Sequence, residues 1–170
     1  QVNKQIGGDS PDVECLQEMP NFVESIHKLL TDKKILAYHD RSDGGLMTTL
    51  TEMSFASRLG LEINLDTALE DDKKLIDFLF NEELGVVIQV HTKDLDCVYD
   101  LLDESGLKDH SHNLGCISAN KEINFSYREK KILSFPLKAL LENWHKVGFE
   151  IQSLRDNPVT AEAEFRNDTD

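Results

Sequence analysis

His39-Asp40-Arg41-Ser42-Asp43-Gly44-Gly45 is the stretch on which the reading of this chain turns. Before it, Ile35 to Tyr38 is a short apolar burst that predicts a strand. After it, Leu46, Leu50, Met53 and Leu59 recur at helical spacing and predict a helix closed by Gly60. A strand, an acidic bend with two glycines and a helix, in that order, place carboxylates and a hydroxyl beside the free N–H groups of a helix start. Glycines there let the backbone approach a bound group closely. An anion on those N–H groups, bridged by magnesium to a carboxylate, suits the oxygen-ligand preference of that ion. The residue types also allow a plainer reading, in which Ser42 or Asp43 caps the helix and the glycines complete a tight turn.

Outward from the bend, the chain alternates between apolar periods of both kinds. The opening stretch, with Gly7-Gly8, Pro11 and Pro20, has no steady period and predicts an extended entry segment over residues 1–20. Phe22, Ile26, Leu29 and Leu30 then predict a helix to about Lys33, with Asn21 as its cap. Leu61, Ile63 and Leu65 alternate as a half-buried strand. A helix is expected over Glu70–Asn81, with Leu75, Ile76, Leu79 and Phe80 on its inner face. The β-branched run Leu84 to Val90 predicts a central strand. Leu95, Val98, Leu101 and Leu102 define another helix, stopped by Gly106. Three strands follow, at His112–Ser118, Glu122–Tyr127 and Lys131–Phe135. A last helix from Leu137 to about Leu154 is expected to turn Leu140, Leu141, Trp144 and Ile151 toward the body. Residues 156–170 are polar and acidic and read as a linker or extended tail. Alternating elements followed by clustered strands predict an α+β domain over residues 21–155, with helices packed on a mixed sheet.

Composition narrows the function. Among 170 residues, 18 Lys and Arg face 32 Asp and Glu, a net charge of −14. A phosphate backbone would be repelled, so nucleic acid is disfavoured as a partner. The longest apolar runs are far too short to span a bilayer and no charged-then-apolar leader opens the chain, so a soluble, cytoplasmic protein is expected. Cys15, Cys97 and Cys116 are an odd number without a CxxC pair. That argues against a disulfide framework or a zinc site and predicts ordinary buried or half-buried thiols. The chain opens on Gln1, as a piece of something longer would.

Other residues have bland readings beside their chemical ones. His39 adjoins the bend and is either a phosphate donor or a packed strand-end side chain. Glu82-Glu83 suggest an acid/base pair, but strand neighbours face opposite sides, and a solvated turn or interdomain contact is the simpler reading. His110 and His112 have the spacing of two ligands on one strand face without a third. Trp144, with Leu140 and Leu141, reads as a core stripe.

Three segments in order, LAYHDRSDGGL (36–46), TLTEMSFASRLGLEINL (49–65) and LFNEELGVVIQV (79–90), resemble the second C-terminal synthetase domain of the phosphoribosylformylglycinamidine synthase family, and SLRDNP (153–158) is similar to the segment that leads from that family's synthetase part into its glutaminase domain. The likeness is weakest at residues 66–74 and 108–138. It implies a three-layer α/β/α fold around a mixed sheet, of the AIR synthase C-terminal kind. It also implies a part of a purine-biosynthetic ligase that uses ATP and glutamine and is inactive alone. By this resemblance Asp40 is a magnesium ligand and Ser42 a nucleotide contact, at an auxiliary Mg2+ and ATP/ADP site, with no catalytic residue in this segment. The nucleophilic cysteine of glutamine hydrolysis would lie elsewhere. Nucleotide-binding synthetase domains and a glutaminase domain are the implied partners, and an isolated domain is expected to be able to pair with itself. Two alternatives remain: a non-catalytic scaffold, or a related enzyme such as selenophosphate synthetase or thiamine-monophosphate kinase.

Overall fold

The computed structural model describes residues 13, 15–69, 71 and 74–169, in two compact units. Of the entry segment, residues 1–12 and 14, with Gly7-Gly8 among them, lie outside the described residues; its end is not extended as expected, because Glu18, Met19 and Pro20 are already helical.

The first unit takes in the described residues up to Leu50 and those from Lys74 to His112. Helix α1 runs from Glu18 to Thr31 and buries Ser25, Ile26 and Leu29. It begins three residues before Asn21, so Asn21 is no cap. Its side-chain amide instead donates to the Ser105 carbonyl at 3.1 Å. Strand β1, Ile35–Asp40, pairs antiparallel with β3, Val86–Val90, with Tyr38 opposite Ile88 and Asp40 opposite Val86. The run ending at Val90 was expected to be central. Among the described residues it is one of two strands in this sheet, and each of its side chains is half-buried. β-Branched content reports a pleated, partly buried surface, which an edge supplies as well as a centre.

The helix expected over Glu70–Asn81 is described as α3, Leu75–Phe80; Glu70, Asp72 and Lys73 lie outside the described residues. Leu79 is buried, but Ile76 and Phe80 are exposed, against the expectation of an inner face. Helix α4, Leu95–Glu104, buries Val98 and ends as expected at Gly106, whose φ of 72° suits a residue without a side chain. Helix α2, Gly45–Ser57, contributes its first residues to this unit and the rest to the second.

The second unit holds a four-stranded sheet in the order β4-β2-β5-β6. Its strands are β2 (Gly60–Asn64), β4 (Gly115–Ser118), β5 (Glu122–Tyr127) and β6 (Lys130–Pro136). β2 and β5 run parallel while the other pairs are antiparallel, so the sheet is mixed as expected. Leu61, Ile63, Ile123, Phe125 and Tyr127 are buried on these strands. Gly60 does not close α2: Arg58 takes the left-handed conformation, φ 56°, and Gly60 opens β2. A side chain at Gly60 would meet the Asn120 carbonyl at 1.8 Å, which explains the glycine.

Helix α5, Leu137–Arg155, buries Leu137 and Leu141, whereas Trp144 and Ile151 are each 58% exposed and not part of a core stripe. Residues 158–169 form helix α6, where an extended tail was expected. Asn157 Oδ1 accepts the Val159 N–H at 3.0 Å and Pro158 opens the helix, so DNP is a helix start. α6 packs back on α5 through Phe149 and Phe165, with ring centroids 4.6 Å apart, and buries Ala161. All three cysteines are exposed, not half-buried as expected.

Candidate functional site

The bend is an extension of β1. The strand continues through His39 and Asp40, with exposed and half-buried side chains alternating, and Asp40 lies on the exposed face with Leu36 and Tyr38. Arg41 then leaves the strand, Ser42 accepts the Gly45 N–H on its carbonyl at 2.8 Å, and α2 begins. Gly44 and Gly45 both have positive φ, 82° and 64°. A side chain on Gly45 would lie 2.5 Å from the Asn81 carbonyl, so the bend is packed against the end of α3.

Three residues hold that bend in place. Arg41 Nε donates to the Glu83 carbonyl at 2.6 Å and Nη2 to the Leu84 carbonyl at 3.1 Å, while its backbone N–H donates to the Gly85 carbonyl at 2.8 Å. Burial lowers the Arg41 pKa from its usual value, and the nearby Glu83 charge opposes that shift. Gly85 leaves room for the fork: a side chain there would sit 3.3 Å from the guanidinium. Glu82 Oε1 accepts the Gly44 N–H at 3.1 Å. Thr49, buried one turn into α2, places Oγ1 3.0 Å from the Gly45 carbonyl and 3.2 Å from that of Asp40.

Asp40 and Ser42 are therefore both exposed on a bend whose backbone is fixed from behind. Neither Ser42 nor Asp43 takes the capping role that the plainer reading gave them; the Gly44 N–H goes to Glu82, 38 residues away. Among the described residues, no three His, Cys, Asp or Glu side chains gather as a metal site. Asp40 does act on its neighbour. Burial raises the Tyr38 pKa, and the Asp40 charge raises it further. His39 is half-buried and donates from Nδ1 to the Asp40 carbonyl at 2.8 Å. His110 lies in a single turn, Lys108–His110, and His112 in the coil after it, so the two do not share a strand face.

Sequence reasoning missed Arg41, Glu82, Thr49 and Gly85 as parts of this site. The sequence reads Glu82 as a solvated turn or an interdomain contact, because its partner is a backbone N–H, which no spacing reveals. The one available signal was that the bend and the Asn81-Glu82-Glu83-Leu84-Gly85 stretch belong to the same set of matched segments.

The family model for the AIR synthase related protein, C-terminal domain, matches residues 2–128. A phosphoribosylformylglycinamidine synthase of Schizosaccharomyces pombe is 40% identical over 172 residues, which takes in 100% of this chain and 13% of that protein. The synthase of that name from Saccharomyces cerevisiae is 41% identical over 181 residues, with the same coverage. The chain thus spans 13% of the length of the curated relatives it matches. Among solved structures, phosphoribosylformylglycinamidine synthase II of Thermotoga maritima superposes with a TM-score of 0.65 at 15% identity, over 76% of this chain and 22% of that one. T. maritima PurL complexed with ATP gives 0.64 at 14% identity, over 79% and 24%. At such identities the structures speak to the fold, and they agree with the mixed α/β architecture. The chain belongs to the AIR synthase related protein, C-terminal domain family, and is similar along its whole length to one segment of the fungal phosphoribosylformylglycinamidine synthases.

Proposed function

We propose that this chain is one domain of a phosphoribosylformylglycinamidine synthase, the ATP- and glutamine-dependent ligase of purine biosynthesis, working in the cytoplasm. Its role there is to complete an auxiliary magnesium-nucleotide site with other domains of the same enzyme, and it has no ligase activity alone. The observation that carries this reading is the bend at residues 40–45, locked by Arg41 and Glu82 and turning Asp40 and Ser42 outward.

The donor set fits magnesium of one particular kind. That ion is commonly held by one or two carboxylates, with phosphate oxygens and water completing its shell. The exposed carboxylate of Asp40 suits such a site, and the bend would not supply an all-protein cage. Bound magnesium would offset the charge of the polyphosphate. This chain's residues would do the rest: Asp40 ligates, Ser42 contacts the nucleotide, and Arg41, Glu82 and Thr49 keep both in position. The positive charge that a −14 domain cannot offer must come from its neighbours.

A second reading has one observation in its favour. The Gly44 N–H that an anion would use is already taken by Glu82, as it would be in a domain kept only as scaffold. Magnesium-dependent ADP binding by the full-length enzyme separates the two. Asp40→Ala and Ser42→Ala should each weaken binding, Asp40→Ala by about tenfold or more, the range of a lost charge-assisted contact. Unchanged ADP occupancy in both variants favours the scaffold.

A further inference from the structure

Along α5, Leu140, Trp144, Val147, Ile151 and Leu154 are spaced by four, three, four and three residues, the spacing of a coiled-coil seam. Leu140 is half-buried, and the other four are 58, 64, 58 and 91% exposed, in that order. The adjoining side of the helix is already in use: Leu137 and Leu141 are buried, Phe149 stacks on Phe165, and Gln152 donates to Glu164 at 2.5 Å; within the seam Trp144 meets Phe55 of α2, with ring centroids 5.8 Å apart, which leaves Val147, Ile151 and Leu154 as its open part. Beside the seam lies Gly148, and a side chain built on it would meet nothing within 4 Å. Glycine weakens a helix interior, and no contact among the described residues calls for it here. It would, however, let a second backbone approach closely.

We infer that this seam is the docking face for a helix from another domain of the same synthase polypeptide. The inference rests on reading the chain as part of a longer synthase, and not on the magnesium-nucleotide site. The matched family model stops at residue 128, before α5, whereas both fungal synthases align across the whole chain. The seam therefore belongs to sequence that the long synthases share beyond the family domain, and 87% of their length (100 − 13) is left to supply the occupant. A second copy of this chain is the weaker occupant, because two bodies of charge −14 repel.

The test places a cysteine on the seam, as Leu154→Cys and separately Ile151→Cys, in the full-length synthase. Maleimide labelling of those positions is followed by peptide mass spectrometry, in native and in urea-unfolded enzyme. Both residues are exposed in this domain, so neither change threatens its folding. The seam cysteines should label about tenfold more slowly in the native enzyme, as thiols do when cover removes their access. Equal native and unfolded rates overturn the inference. So does protection that disappears on dilution as light scattering shows a dimer dissociating, since the occupant is then a second copy. If the unsubstituted full-length protein has no amidotransferase activity, it is the proposed function that fails, whatever the labelling shows.

Discussion

Glu82 and Gly44 lie 38 residues apart in sequence, and the carboxylate of one accepts the backbone N–H of the other at 3.1 Å. That bond joins the segment before β3 to the turn that opens α2. It needs an acceptor oxygen and not a charge, and the amide oxygen of glutamine can replace it. Glu82→Gln should therefore keep the stability of the 170-residue chain, while Glu82→Ala should lose about 1 kcal/mol, the usual net worth of one hydrogen bond. Urea midpoints measure both. Equal loss in the two variants would mean that the side chain acts through its charge.

Arg41 makes the stronger anchor. Its fork satisfies two carbonyls that lie behind the bend, and Arg41→Ala leaves both without it. A loss of about 1–3 kcal/mol is expected. Arg41→Lys should recover little, because one ammonium cannot reproduce the fork. Gly85→Ala attacks the same contact from the other side, through a methyl group 3.3 Å from the guanidinium. In the full-length enzyme, Arg41→Ala and Gly85→Ala should both weaken magnesium-ADP binding, each by about tenfold, the scale at which small displacements of binding groups act. Titration calorimetry reads this directly. A loss in Arg41→Ala with none in Gly85→Ala would show that the arginine does more than hold the bend.

Lys34 and Asp94 give the first unit a pH dependence. Their 2.6 Å hydrogen-bonded pair holds the Asp94 carboxyl below the usual carboxylate range and the Lys34 amine above its usual value. The depressed acid contributes stability above its unfolded pKa of about 4 and loses it as pH falls through the folded value. The raised amine contributes below its unfolded value of about 10 and loses its share as pH rises through the folded one. The pair is thus fully effective between those limits. Asp94→Asn should melt below the unsubstituted chain at neutral pH, with the gap closing as pH drops below about 4. A gap of constant size from acid to neutral would remove the ion pair as its cause.

Phe125 is completely buried at the middle of β5, between β2 and β6. Phe125→Ala should cost about 3–5 kcal/mol, from lost burial and the cavity left behind. That is a large share of what a domain of this size holds in reserve. Urea unfolding followed by circular dichroism tests it, and a loss below about 1 kcal/mol would mean that the sheet closes around the gap.

Local chemistry was legible wherever the cause lay within a few residues. The helical period of Leu95 to Leu102 and its stop at Gly106 were plain, and so were the alternation of Leu61, Ile63 and Leu65 and the order of strand, bend and helix around Asp40. Even the missed helix α6 had a local signal. Asn157-Pro158 is a cap followed by a favoured first residue, but the polar sequence beyond it hid the start, because α6 is held mainly by what α5 offers it. Tertiary structure decided the rest. Whether Leu84 to Val90 sits at a sheet's centre depends on which strands pair with it, and whether Trp144 is covered depends on where α5 meets its neighbours. The partner of the Gly44 N–H is a carboxylate from a remote loop. Side-chain periodicity specifies which face of an element is apolar; only the assembled chain determines what that face, or a free backbone donor, will touch.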